Sequence, residues 1–177
     1  QIDFGKFKVN PKWVIGYSDI TVFHNHIRSN CSTMTIHGPM PLNIINKPEE
    51  LNSANELMRM LFGEKPKSIF ASHMLNKTGE TSGKLIGGNL SVLCGLIGTN
   101  SNIDTSDSIL FLEDLCEENY KLDKMLFQLQ KSQQFNNING VLIGEFTEMT
   151  DLSNWFLEDS YELIAKRFYD LPIPIAF

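Results

Sequence analysis

The sequence predicts an α/β fold on three observations. Short apolar runs that suit buried strands, among them Trp13-Val14-Ile15, residues 108–112 and Val141-Leu142-Ile143, alternate with stretches whose apolar residues recur every three or four positions. Glycine, proline and asparagine separate them, most clearly at Gly38-Pro39-Met40-Pro41 and Asn136-Asn137-Ile138-Asn139-Gly140. The composition, 42% hydrophobic and 20% charged over 177 residues, is that of a globular domain with material for a core. Strands alternating with helices bury both faces of a sheet, which is the α/β solution. The Gly-Pro break marks a boundary or crossover. Residues 1–40 are therefore expected to close an N-terminal α/β domain. Residues 41–177 are expected to form a C-terminal domain with a mixed sheet and flanking helices.

In chain order, residues 1–12 are polar with scattered aromatics, and Asn10-Pro11-Lys12 turns into the first strand at Trp13. Asp19 opens an amphipathic helix with Ile20, Phe23 and Ile27 on one side, ending near Ser29-Asn30. Thr33-Met34-Thr35-Ile36 reads as a second strand. Asn46-Lys47-Pro48-Glu49-Glu50 starts a helix with a capping Asn, an early Pro and acids near the positive end of the dipole. Leu51, Ala54, Leu57, Met58 and Leu61 continue it to Gly63, where it stops. Residues 68–71 read as a strand and 76–83, rich in Gly, Thr and Ser, as a loop. Gly87-Gly88 lead into a helix through Leu90, Leu93, Cys94, Leu96 and Ile97. Residues 108–112 are the clearest buried strand, with Glu113-Asp114 at the carboxyl end, where α/β proteins build sites. Leu122, Met125, Leu126 and Leu129 mark the next helix, and Tyr161, Ile164, Ala165 and Phe168 the last. Pro172 and Pro174 flank a short final strand.

The net charge of −6, with no cluster of Lys and Arg interleaved with aromatics, argues against a nucleic-acid groove. No apolar run approaches the ~20 residues of a membrane span. The first residues, Gln1-Ile2-Asp3-Phe4, have neither the basic start nor the apolar core of a signal peptide. Cys31, Cys94 and Cys116, odd in number and widely spaced, fit neither a disulfide framework nor a zinc site. They suit a reducing, cytoplasmic setting, each as a small buried hydrophobe. No metal or cofactor is expected. His24 and His26, two apart on a helix, face different sides and cannot share an ion. Gly87-Gly88 lacks the G-K-[ST] of a phosphate loop. His37 precedes a Gly-Pro turn, and His73 lies in or beside an exposed loop.

The chemistry centres on Gly16-Tyr17-Ser18-Asp19-Ile20. A strand, a tight turn at Gly16, a serine at its tip and a helix make the outline of a nucleophile elbow. Such an elbow exposes the hydroxyl and leaves the Asp19 N–H to hold an oxyanion. The pattern G-x-S-x-G is incomplete, because Ile20 stands at its second glycine. A serine that caps the following helix accounts for the same residues. Glu113 reads equally as a site carboxylate, a solvated acid or a helix-starting residue. Gly87-Gly88 permits close approach of a backbone to a ligand or simply tight packing.

Six segments together resemble one family. Ile15-Gly16-Tyr17-Ser18-Asp19-Ile20-Thr21, His37-Gly38-Pro39-Met40, Gly87-Gly88-Asn89-Leu90 and Ile109-Leu110-Phe111-Leu112-Glu113-Asp114 come in the order and spacing of the LD-carboxypeptidases. The helix at Lys124-Met125-Leu126 and Gln128-Leu129 and the strand from Gly140 to Thr147 follow in register. These are serine peptidases of muropeptide recycling, and their relatives include the microcin C self-immunity peptidases. The resemblance implies Ser18 as nucleophile and Glu113 as the acid of a Ser-His-Glu triad, with Asp19 N–H in the oxyanion hole. Gly88 and Asn89 are expected to meet the terminal carboxylate of the substrate. The family's histidine, in a Gly-His loop after the last strand, is expected beyond Phe177, and its Gly-Gly-Tyr-Gly segment before Gln1. The chain is thus expected to be incomplete at both ends and inactive alone. A murein tetrapeptide ending in D-Ala is the implied substrate, with no metal, and a homodimer the implied assembly. A microcin-type peptidase is the alternative within the family, although residues 82–86 hold no Trp to stack a base. A non-catalytic binding domain of the same fold is the alternative outside it.

Overall fold

The computed structural model describes residues 2–46, 51–67, 71–151 and 158–177. A short helix α1 (Gly5–Val9) precedes β1 (Ile15–Gly16), a 3₁₀ turn (Ser18–Ile20) and α2 (Thr21–Cys31). β2 (Ile36–His37), α3 (Pro41–Asn46) and α4 (Leu51–Leu61) follow. The remainder is β3 (Lys84–Asn89), α5 (Leu90–Leu96), β4 (Ser108–Leu115), α6 (Asn119–Lys131), β5 (Gly140–Thr147), α7 (Ser160–Phe168) and β6 (Ile175–Ala176). No helix among the described residues is long and apolar enough to cross a membrane.

β1 and β2 form a parallel pair, Ile15 opposite Ile36 and Gly16 opposite His37. β3 to β6 form a second sheet in sequential order, every neighbour parallel. The expected α/β class with flanking helices stands. Among the described residues, what makes the second sheet mixed is an antiparallel bridge between Lys77 and Ile175 at its edge. Parallel neighbours need crossovers, and α5, α6 and α7 supply three. Their apolar stripes cover one face. Leu90 and Leu93 of α5, Leu122, Leu126 and Leu129 of α6, and Leu163, Ile164 and Phe168 of α7 pack on Leu110, Leu112, Val141 and Ile143. Alternation along β4 sends Leu110, Leu112 and Asp114 to that core and Ile109, Phe111 and Glu113 to the opposite face.

Several expectations shift. Residues 5–9 form a helix, because Asp3 accepts from the Gly5 N–H at 2.8 Å and the Phe4 ring finds Phe7 and His26. The second strand is Ile36–His37 rather than 33–36, because β1 offers only two residues to pair with. Trp13, read as strand, is half exposed before β1 begins. Gly87 and Gly88 lie within β3 rather than in a turn. Cys94 is buried as expected, but Cys31 is only half-buried and Cys116 is exposed, its thiol 2.8 Å from Glu148. His73 is half-buried against the rings of Phe177 and Tyr161. Residues 47–50 of the expected helix start and 68–70 of the expected strand at 68–71 lie outside the described residues, and Asn46 closes α3 rather than capping a new helix.

Candidate functional site

The turn after β1 is built by crowding. Gly16 has φ +155°, and a side chain there would strike Ile20 Cγ1 at 2.8 Å. Ile20 thus folds back over Gly16 at the place where the full motif has glycine. Ser18 follows with φ +57°, a left-handed backbone that costs a non-glycine residue about 1–2 kcal/mol. Strain of this kind persists only where the surroundings enforce it. The first cap position of the 3₁₀ turn belongs to Tyr17 and carries no side-chain bond. Among the described residues the Ser18 hydroxyl has no hydrogen-bond partner, so the capping alternative is not realised. The first bond of the turn runs from Ile20 N–H to Tyr17 O at 3.2 Å, leaving the Asp19 N–H ahead of it.

His24 holds this turn from behind. Its Nε2 lies 2.9 Å from Gly16 O, which also accepts from Gly38 N–H at 3.2 Å. A carbonyl only accepts, so Nε2 carries the proton and Nδ1 is left as a buried acceptor without a partner. Burial pushes the His24 pKa down, against the pull of the Gly16 bond, and keeps the ring neutral. The bond reaches eight residues back along the chain, a partner that helical spacing does not supply.

Glu113 sits at an irregularity. β4 and β5 run in register to Leu112 opposite Ile143 and resume at Asp114 opposite Phe146. Gly144 and Glu145 therefore share the space opposite Glu113, and such bulges re-aim a side chain. Gly144 leaves room, since a Cβ there would lie 3.3 Å from Glu113 Cβ and 2.9 Å from the Phe111 ring. Glu113 Oε1 is buried without a hydrogen-bond partner. Burial first, and then the neighbouring charge of Asp114, push its pKa up to about 7, against a bond from Asn89. The fold thus favours the protonated carboxyl. Its contribution to stability is complete below the ordinary value of 4.5 and is lost as pH rises through about 7. Glu113→Gln, neutral throughout, is expected to lose less Tm than the wild type between about pH 5 and pH 8. Parallel melting curves would show that Glu113 is not desolvated.

The two residues approach through their neighbours. The turn Ser18–Ile20 lies beside β3, whose last residue, Asn89, is the register partner of Glu113. His37, opposite Gly16, packs edge-on to Phe111 at 5.0 Å, on the same face of β4 as Glu113. His37 is exposed as a residue, yet loss of water on the side of the ring that faces Phe111, and then His24, push its pKa down to about 4. No hydrogen bond joins Ser18 to Glu113, or either to a histidine, among the described residues. His26 Nδ1 bonds Ser101 Oγ at 2.8 Å, and His73 stacks on Phe177. No group of three His, Cys, Asp or Glu side chains converges there as a metal site.

Gly88 and Asn89 face inward. A Cβ at Gly88 would lie 2.6 Å from Thr21 Oγ1, and one at Gly87 only 1.8 Å from Phe111 O. Asn89 is 3% exposed and caps α5. Its Nδ2 donates to Asp114 Oδ1 at 2.8 Å, and its Oδ1 accepts from Ser91 Oγ and Val92 N–H. A cleft of about 510 Å³ opens nearby between α2, β2 and β3, lined by Arg28, Met34, His37, Lys84 and Phe111 but by neither Ser18 nor Glu113.

Comparison with known proteins agrees with this architecture. The profile of the LD-carboxypeptidase C-terminal domain matches residues 82–177, and that of the N-terminal domain residues 1–38. A protein of Bacillus subtilis named "Probable murein peptide carboxypeptidase" is 36% identical over 149 residues, 82% of this chain and 46% of that protein. The "Murein tetrapeptide carboxypeptidase" of Pseudomonas aeruginosa is 32% identical over 161 residues, 83% of this chain and 50% of that protein. The chain thus spans about half the length of these relatives. The muramoyltetrapeptide carboxypeptidase of Oxalobacter formigenes superposes with a TM-score of 0.88 at 26% identity, over 99% of this chain and 60% of that one. The microcin C7 self immunity protein MccF, at 21% identity and TM-score 0.82, covers 98% of this chain and 60% of its own, and shares the fold. On these matches, the chain belongs to the LD-carboxypeptidase family.

Proposed function

We propose that the protein carrying this chain is a serine carboxypeptidase that hydrolyses the amide bond before the C-terminal D-Ala of murein tetrapeptides. Residues 1–40 are the end of the nucleophile-bearing domain, and 41–177 most of the second. Ser18 attacks the carbonyl carbon while an imidazole removes its proton, since a serine hydroxyl is a poor nucleophile without a base. The Asp19 N–H donates to the tetrahedral oxyanion. The imidazolium then protonates the departing D-Ala amine, and water, deprotonated by the same imidazole, releases the acyl group from Ser18. Glu113 orients the imidazole and stabilises its cation. A carboxyl with its pKa near 7 and one unpartnered oxygen gains most from such a donor. The imidazole comes from outside residues 1–177. His24 is buried behind the turn with its Nε2 on Gly16 O, His26 bonds Ser101, His73 stacks on Phe177, and His37 meets the Phe111 ring.

The observation that carries this reading is the left-handed backbone of Ser18 beneath a hydroxyl with no partner. A direct role for the Asn89 side chain at the substrate's carboxylate would require it to exchange one of its internal bonds. The test is release of free D-Ala from a murein tetrapeptide, by this chain and by a form extended beyond both ends. Turnover is expected from the extended form alone. Absence of D-Ala release at every length overturns the reading. Cleavage of an aminoacyl nucleotide in its place would favour the microcin-type activity.

A further inference from the structure

We propose that Thr21, Asn89 and Asp114 form a buried strut that sets the separation between the Ser18 turn and the Glu113 carboxyl, with Thr21 and Asp114 as positioning residues. This rests on the serine-peptidase reading above. Thr21 is the first residue of α2, three beyond Ser18, and is fully buried. Its Oγ1 accepts from the Asn89 N–H at 3.1 Å, across 68 residues of chain. Asn89 then reaches Asp114, beside Glu113 in β4, through its Nδ2 at 2.8 Å. Asp114 accepts further from Ser91 N–H and Leu115 N–H, both at 2.9 Å. One unbroken line of hydrogen bonds therefore runs from the turn that presents the hydroxyl to the strand that presents the acid.

The chemistry of the strut argues for position rather than bulk stability. Asp114 is 3% exposed, and placing a carboxylate there costs desolvation that an apolar residue would avoid. Three N–H donors offset that cost and fix the carboxylate's orientation. A side chain at Gly88 would meet Thr21 Oγ1 at 2.6 Å, so β3 leaves at this position the space that the Thr21 side chain fills. Close approach with directional bonds leaves little freedom along the line between Ser18 and Glu113. Asp114 and Glu113 point to opposite faces of β4, so the anchor does not occupy the site it holds.

The test compares Thr21→Val, which keeps the shape and loses the acceptor, with Thr21→Ser, which keeps the acceptor. In a form of the protein that releases D-Ala, Thr21→Val is expected to lower kcat about tenfold or more, as misplacement of reacting groups does. KM should stay within about twofold, since substrate binding is untouched. Thr21→Ser should recover most of the loss even if its Tm also falls. Unchanged kcat in Thr21→Val, or equal impairment of both variants, overturns the strut. Should the wild type release no D-Ala at any length, the peptidase reading falls and the strut is judged by the crystal structure of Thr21→Val. A changed Ser18–Glu113 separation supports it, and an unchanged one overturns it.

Discussion

In an extended form of the protein that releases D-Ala, as proposed, Ser18→Ala is expected to abolish that release, lowering kcat by about 10⁶-fold, the scale seen when a serine nucleophile is removed. Its Tm should stay close to that of the wild type. The hydroxyl has no hydrogen-bond partner among the described residues, and alanine meets the same strain at φ +57°. Ser18→Gly separates the two properties. It also removes the nucleophile, yet glycine adopts the left-handed backbone without strain. Glycine ordinarily costs about 0.5–1 kcal/mol in chain entropy, so a Tm held or raised in Ser18→Gly would show that the strain is real. A Tm well below that of Ser18→Ala would contradict the left-handed turn. Residual hydrolysis in both variants near the wild-type rate would remove Ser18 from the chemistry.

Gly87→Ala is expected to cost more than about 4 kcal/mol and to leave the second sheet unformed at ordinary temperature. The added Cβ would lie 1.8 Å from Phe111 O, inside the carbonyl of the neighbouring strand, and φ +137° is closed to alanine. Neither the Phe111 backbone nor its β5 neighbour can retreat without breaking the ladder. Gly95→Ala is the control. Gly95 lies in α5 with open space where its Cβ would go, and the change should gain about 0.5–1 kcal/mol through helix propensity. Urea midpoints followed by circular dichroism measure both. A Gly87→Ala protein with a wild-type midpoint would show that β3 and β4 are not paired as described.

Legibility followed the range of the interactions. The runs at residues 108–112 and 141–144 announced β4 and β5, because a strand with one face buried and the other partly covered must be largely apolar whatever it meets. The period of Leu122, Leu126 and Leu129 announced α6 for the same reason. The short strands were harder. β1 and β2 span two residues each, too few to carry a period, so Trp13 and residues 33–35 were read into them. Gly87-Gly88 was visible as a place of close approach. What approached, β4 on one side and Thr21 on the other, depends on partners 24 and 67 positions away in opposite directions, which no local pattern reports.

By itself the sequence determined the α/β class and the helices that cover the second sheet, because each depends on neighbours within a few positions. It offered Ser18 as the tip of an elbow, while Glu113 was singled out only by the resemblance of six segments to one family. The tertiary structure alone decided that Ser18 is strained and uncapped, that Glu113 stands at a bulge with an unpartnered oxygen, and that Asn89 lies inside rather than on a surface. It alone joined Thr21 to Asn89 and Asn89 to Asp114. The physical reason is that desolvation and hydrogen-bond geometry are set by what the folded chain brings together, and those partners are distant in the polymer.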